Sequence, residues 1–271
     1  MDWARAKNIL IVLLLVLNAT LTAVIVDRMT GGDADRAFYA SVTRILDDRG
    51  VAMHCDFPRQ VTDSGLLMYG DGAKFVENCA RALSNNGNNT ARIEMAGRES
   101  LRYTNELADE NLSTASISAL DTAIRRKFAE WNIDMSVFIT DATIIDAGGN
   151  YYYHYILDYQ GNPVFDSNIS VAVDKEGSVR EISINYREIK SASAEKLMKV
   201  IPAYQVVLKN FYDAGAAITS INIGFMGQNT ARDNPFIESE EGAVWRVKLD
   251  DGTERFFEAT YGDEIIKTTL T

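Results

Sequence analysis

Two histidines, two cysteines and paired acids such as Asp250-Asp251 are the side chains from which this 271-residue chain could assemble polar chemistry. Acyl transfer needs a nucleophile with a base in reach, and that base would have to be His54 or His154. His54 stands beside Cys55, but neighbours on a strand point to opposite faces, which separates thiol from imidazole. His154 lies within Tyr151-Tyr152-Tyr153-His154-Tyr155, an alternating strand pattern in which a packed or surface ring is the plainer expectation. Asp250-Asp251-Gly252 has the composition of a turn rather than of a carboxylate dyad. The chain contains no G-x-S-x-G, P-loop, H-E-x-x-H or twelve-residue calcium loop. The expectation is therefore a non-enzymatic protein, with no catalytic residue and no cofactor.

A structural zinc wants four Cys or His ligands in paired spacings, which His54, Cys55, Cys79 and the distant His154 do not supply, so no metal is expected. Cys55 and Cys79 leave two readings open: a disulfide worth about 3 kcal/mol in an oxidising compartment, or two buried thiols. Tyr151, Tyr153 and Tyr155 share one face of their strand and could form a ligand surface for a sugar or peptide, although sheet aromatics more often fill core. Asn88-Asn89-Thr90 and Asn168-Ile169-Ser170 fit a glycosylation pattern that arises often by chance. The net charge of −11 repels phosphate backbones and anionic headgroups, which excludes nucleic acid as a partner.

The elements that must position these residues follow from apolar spacing. Ala37, Phe38, Val42, Ile45 and Leu46 mark a helix stopped by Gly50, and Phe75, Val76, Cys79, Ala80 and Leu83 mark another. Short strands are expected at 51–54, 66–69, 91–95 and 100–104, which with those helices makes a first α+β module over 36–110. A second α+β region covers 111–271. It opens on a helix at 115–131, capped by Ser113 or Thr114, whose Ile117, Leu120, Ile124, Phe128 and Trp131 form one stripe. Strands at 136–145, 151–159, 163–165, 169–174 and 178–186, joined by Gly-containing turns, form an antiparallel meander on that helix. A short strand at 197–201 leads to a helix at 202–214, and strands at 218–226, 244–249 and 255–259 end in a hairpin. YILDYQGNPVF and WRVKLDDGTERFF both place an apolar strand before a Gly turn, which suggests two similar modules in an α+β fold of antiparallel sheets packed with helices.

Residues 1–8 precede an uncharged run, Ile9 to Val26, which as a helix is about 27 Å long and matches a hydrocarbon core of about 30 Å. It exceeds a secretory signal core, and Leu21-Thr22-Ala23 is a poor cleavage site, so it reads as a transmembrane helix retained as an anchor, with 27–35 as linker. Arg5 and Lys7 place the N-terminus in the cytoplasm and the remainder outside, a single-pass topology. Asn18, Ala19, Thr22 and Ala23 share one small, partly polar face of this helix. Helices in lipid associate over small residues and through side-chain hydrogen bonds, so this face is the expected contact for a membrane partner.

The start MDWARAKNILIVLLLVLN resembles the N-terminus of the YycI family, and YHYILDYQGNPVFDSNISVAVDKEGSVREI and VWRVKLDDGTERFFEATYGDEI are similar to that family's carboxy-terminal hairpins. The resemblance implies a YycH-like α+β fold. It implies a non-enzymatic regulator of a WalK (YycG) type sensor histidine kinase controlling cell-wall metabolism, acting with a YycH-like protein through transmembrane contacts. An extracytoplasmic binding module for a wall fragment or peptide, tethered to the bilayer, is the alternative.

Overall fold

The computed structural model describes residues 14, 17, 18, 32–58, 61–86, 91–105, 112, 116–212, 215–227 and 239–265. Four helices are present among them, α1 (Gly32–Asp48), α2 (Ala73–Asn86), α3 (Ile117–Glu130) and α4 (Ala203–Asn210). The strands are β1 (Ala52–Met53), β2 (Asp63–Gly70), β3 (Ala91–Met95), β4 (Ser100–Asn105), β5 (Phe138–Ile145), β6 (Tyr151–Tyr159), β7 (Asn162–Val173), β8 (Val179–Asn185), β9 (Glu188–Lys199), β10 (Ala217–Phe225), β11 (Ser239–Glu241), β12 (Ala243–Leu249), β13 (Glu254–Glu258) and β14 (Glu264–Ile265). Fourteen strands against four short helices correct the α+β expectation to a predominantly β architecture. Among the described residues no helix is long and apolar enough to cross a membrane. Apart from Leu14, Leu17 and Asn18, the expected span Ile9–Val26 lies outside the described residues.

Eleven strands form one sheet, with β14-β13-β12-β10-β7-β8-β4-β3 as its path and β5, β6 and β1 attached to it; β11-β2-β9 is a second sheet. The expectation of two similar modules is corrected with the fold class, because strands from both halves of the chain share the large sheet. β4 pairs with β8, and β1 runs parallel to β10. The expected meander β5-β6-β7-β8 is present and antiparallel. Its β6–β7 turn places Gln160 and Gly161 at φ 54° and 83°, the left-handed pair that a two-residue hairpin requires.

Strand β7 carries the architecture. Opposite β6, register runs from Asn168↔Ile156 to Val164↔Leu157, so Phe165, Asp166 and Ser167 are extruded from the ladder as a bulge. Beyond it β7 pairs with β8 from Asn168 to Val173, and before it Val164 meets Phe225 of β10 in parallel. Backbones approach so closely there that a Cβ on Gly224 would overlap the Pro163 carbonyl oxygen and the Phe165 ring.

Two cores lie on this sheet. The first buries Val76, Cys79 and Leu83 of α2 and Leu120, Ile124 and Phe128 of α3 against β4, β6, β7 and β8. Ser116 caps α3, accepting a hydrogen bond from the Ala119 amide at 3.1 Å; the expected caps Ser113 and Thr114 lie outside the described residues. The second core packs Val42 and Leu46 of α1 and Val206 and Val207 of α4 on Trp245, Val247 and Phe257. Pro202 caps α4 with ψ 146° instead of entering it, and the helix ends at Asn210, whose side-chain amide donates to the Val206 and Gly262 carbonyls.

Gly224→Ala should lower stability by about 1–3 kcal/mol in urea unfolding, the cost of overpacking against backbone that cannot yield. An unchanged midpoint would show that the β7–β10 junction is not tightly held.

Candidate functional site

The side chains singled out for chemistry are dispersed. Cys79 is buried in the first core and Cys55 packs against the second; both thiols are free, so the disulfide reading is corrected by their placement in separate cores. Burial pushes the Cys79 thiol up to about 12, far from the thiolate range. The ligand surface expected at Tyr151, Tyr153 and Tyr155 is also corrected. Tyr153 and Tyr155 are buried, stacked on each other at 6.1 Å, and Tyr151 packs against the same core. The Tyr153 hydroxyl donates to the Ile117 carbonyl at 2.6 Å and that of Tyr155 to Asp121 at 2.8 Å, pinning α3 to the sheet. Burial first, and then the Asp121 carboxylate, raise both phenols.

His54 is exposed next to half-buried Cys55. Asp251 accepts the Thr253 amide at 2.8 Å, as a turn aspartate does. Asn168 is half-buried on β7 and donates to the Phe165 carbonyl at 3.3 Å, while Asn88 lies outside the described residues. Asn18 is helical and exposed together with Leu14 and Leu17; Ala19, Thr22 and Ala23 lie outside the described residues.

What the fold does bring together is a buried charge cluster. Arg246 of β12 grips Asp141 at 2.8 and 2.6 Å in a bidentate pair, Lys248 reaches the same carboxylate at 2.8 Å, and Glu254 lies 3.1 Å from Lys248. The Arg246 and Asp141 side chains are only 3% and 7% exposed, and the guanidinium rests 4.3 Å over the Phe165 ring. Burial alone would push the Asp141 carboxyl up, but hydrogen bonds from Arg246 and Lys248, and their charges, outweigh it and hold it below the usual range. His154 stands in the field of this cluster and shares a 2.9 Å hydrogen bond with Ser170. Burial lowers its proton affinity first; Asp141 and Glu254 oppose that, Lys248 and Arg246 add to it, and the net shift is downward. A sequence signal for this cluster existed in Arg246 and Lys248, two residues apart on an otherwise apolar strand and therefore on one face.

A second polar cluster sits at the bulge. Asp166 lies 3.6 Å from the Arg187 guanidinium and accepts the Gly227 amide at 3.0 Å, while Ser167 accepts the Arg187 amide at 3.1 Å. Arg187 stacks 4.4 Å over Tyr69 of the second sheet and so ties the two sheets together. Beside this joint a cleft of about 340 Å³ opens between the sheets. Leu66, Leu67, Leu197, Ile223 and Phe225 are its apolar walls, and Asp63, Ser64, Gln160 and Asn162 its polar lining. Apolar walls with a few polar groups at the lining suit contact with an apolar or extended segment.

Asp141→Asn leaves the buried Arg246 and the half-buried Lys248 facing a neutral amide, and should cost about 3–5 kcal/mol in urea unfolding; a loss below about 1 kcal/mol would show the cluster to be solvated. Since the His154 pKa is lowered on folding from its ordinary 6.5, the unfolded chain binds more protons in the window below 6.5, and stability falls as pH drops through it. His154→Gln should flatten the stability profile in that window; an unaltered slope would assign it to other groups.

No family model matches the chain, and no curated protein matches it. Among solved structures it is similar to an uncharacterized protein from Eubacterium rectale ATCC 33656, at 10% identity and TM-score 0.48, over 83% of this chain and 98% of that one. It is also similar to the C-terminal domain of Bacillus megaterium YpeB, at 12% identity and TM-score 0.35, over 71% of this chain and 94% of that one. The YpeB C-terminal domain is thus a distant structural neighbour, and neither likeness bears on activity.

Proposed function

We propose that this chain is a single-pass, membrane-anchored, non-enzymatic regulator of a WalK/YycG-type sensor histidine kinase governing cell-wall metabolism, and that it acts with a YycH-like partner as a YycI-type protein. The observation that carries the reading is the N-terminal apolar run with one amide inside it. Leu14 and Leu17 are 53% and 54% exposed on helix, with Asn18 beside them, a face that wants lipid or another helix. The YycI-like residues MDWARAKNILIVLLLVLN coincide with this segment. The engagement of Asp141, His154, Tyr153 and Tyr155 in structural hydrogen bonds agrees with a role carried by contact rather than by turnover. To regulate, the anchor must favour one kinase state over the other, because equal affinity for both shifts nothing.

The cleft between the sheets favours the second reading, an extracytoplasmic module that captures a wall fragment or peptide. Copurification of the full chain with the kinase, for the parent and Asn18→Leu, tests the first. The variant should lose about 0.6–2 kcal/mol of association, roughly threefold to thirtyfold in affinity, with a matching change in kinase output. Unchanged association and output would remove Asn18 from the mechanism. Full output after exchange of residues 1–26 for an unrelated span would favour the second reading instead.

A further inference from the structure

We infer that the aromatic cluster formed by Phe38, Tyr39, Phe57 and Tyr204 is a bilayer-interface contact that seats the folded domain against the lipid headgroups. The inference rests on the reading of Ile9–Val26 as a membrane anchor and adds to it where the domain touches the membrane.

Three separate elements bring their rings to one place. Phe38 and Tyr39 come from α1, Phe57 from the loop after β1, and Tyr204 from the first turn of α4. The Phe38 ring meets Tyr204 edge-on at 4.9 Å, and Tyr39 stacks on Phe57 at 5.5 Å. Phe57 and Tyr204 rest on the second core, which makes the cluster a rigid platform. Phe38 lies outermost and stays 46% exposed. A phenylalanine half in water on a firmly packed support is a surface that wants cover.

Chain length says what covers it. Asp27 to Gly31 are the residues between the apolar run and α1, and fully extended they reach at most about 18 Å. The headgroup layer is itself about 5–8 Å deep, so the N-terminal end of α1 is held close to it. Phe38 follows six residues into α1, about 9 Å along the axis. The helix α4 runs beside α1 in the same direction, since Phe38 meets Tyr204 while Arg49 donates to the Leu208 carbonyl at 2.8 Å. Tyr204 therefore sits at the same, anchor-proximal end. Aromatic rings, and above all tyrosines with an apolar body and a polar tip, partition to the headgroup level. The chain's net charge of −11 gives no attraction to anionic lipid, so this contact is one of ring burial and works on neutral phosphatidylcholine without dependence on salt.

The test uses the full chain in phosphatidylcholine vesicles, in a Trp3→Phe background that leaves only the buried Trp131 and Trp245 as native emitters. Tryptophan is introduced as Phe38→Trp or Tyr204→Trp, and as Ile45→Trp, 44% exposed and about 10 Å further along α1. Lipids brominated near the headgroup should quench the first two at least about twofold more than the third, at low and high salt alike. Chains that resist an alkaline wash yet show no lipid-dependent quenching at Phe38→Trp and Tyr204→Trp would overturn the contact and leave the anchor standing. Equal quenching at Ile45→Trp would overturn the placement of the contact at this end. Release of the chain by the wash would overturn the anchor itself, and the contact with it.

Discussion

One strand has to serve three neighbours, and the rest of the molecule is arranged around how it does so. β6 follows β7 along its length, so β8 and β10 must share the other edge, and no straight twelve-residue strand could offer them different directions. The bulge resolves the conflict by extruding three residues, and each acquires a task. Phe165 packs with Phe256 and Val244 in a small third core, Asp166 faces Arg187, and Ser167 accepts the Arg187 amide. A feature that would be a defect in a flat ladder thus becomes the joint at which the sheet changes direction and the second sheet is attached.

The same joint explains why so much charge is buried. Phe165 supports the Arg246 guanidinium, and Arg246 in turn holds Asp141, which lies on β5 at an irregularity between Thr140 and Ala142. Strand β5 pairs with β6 alone in the ladder; Arg125 of α3 holds its start at the Phe138 carbonyl and Thr140, and the Asp141 cluster ties it across to β12. Buried ion pairs add little net stability compared with well-packed hydrocarbon, because desolvation offsets the Coulombic gain. What the cluster supplies is alignment. An aliphatic contact would tolerate a slip of β5 along β6, whereas a bidentate pair with a lysine on the same carboxylate fixes one register.

Much of the local structure was legible in the sequence. β3 and β6 fall at the residues their alternation marks, α2 and α3 follow their apolar stripes, and the Gly-bearing turns join the strands they separate. What escaped was non-local or lacked periodicity. β11 and the part of β9 before the short strand expected at 197–201 carry Ser, Glu and Lys where a strand signal would need alternating apolar residues, and they form through pairing to β2. The division of apolar strands between two sheets was hidden because a continuous ladder and a bulged one have the same composition. Omitting those strands weighted the count toward helix, which is how an α+β reading arose from correctly placed helices. For the candidate site, Tyr151, Tyr153 and Tyr155 leave a ligand surface open beside the core reading, since strand alternation tells which residues share a face and not which face is covered. On α1 the stripe Val42 and Leu46 is indeed buried, while Phe38 and Ile45 of the same expected stripe are exposed.

If Ile9–Val26 is the anchor proposed above, that departure on α1 bears on how the domain could transmit anything through it. A tether joined to a domain by a compliant segment reports only that the domain is nearby, because reorientation of the domain is absorbed before it reaches the membrane. α1 is not compliant over its described length. Val42 and Leu46 lock it to the second core, Arg49 fastens its end to α4 at the Leu208 carbonyl, and Phe38 bridges it to Tyr204 at the other end. Helix and core therefore move as one body, and the residues between that body and the apolar run are few. Exposing Phe38 loses burial on one side of α1, yet on the proposed reading it leaves an apolar ring available at the end nearest the bilayer. The cost to the isolated fold is small, and the gain, a domain whose orientation is coupled to its anchor, exists only where a membrane is present to complete the contact.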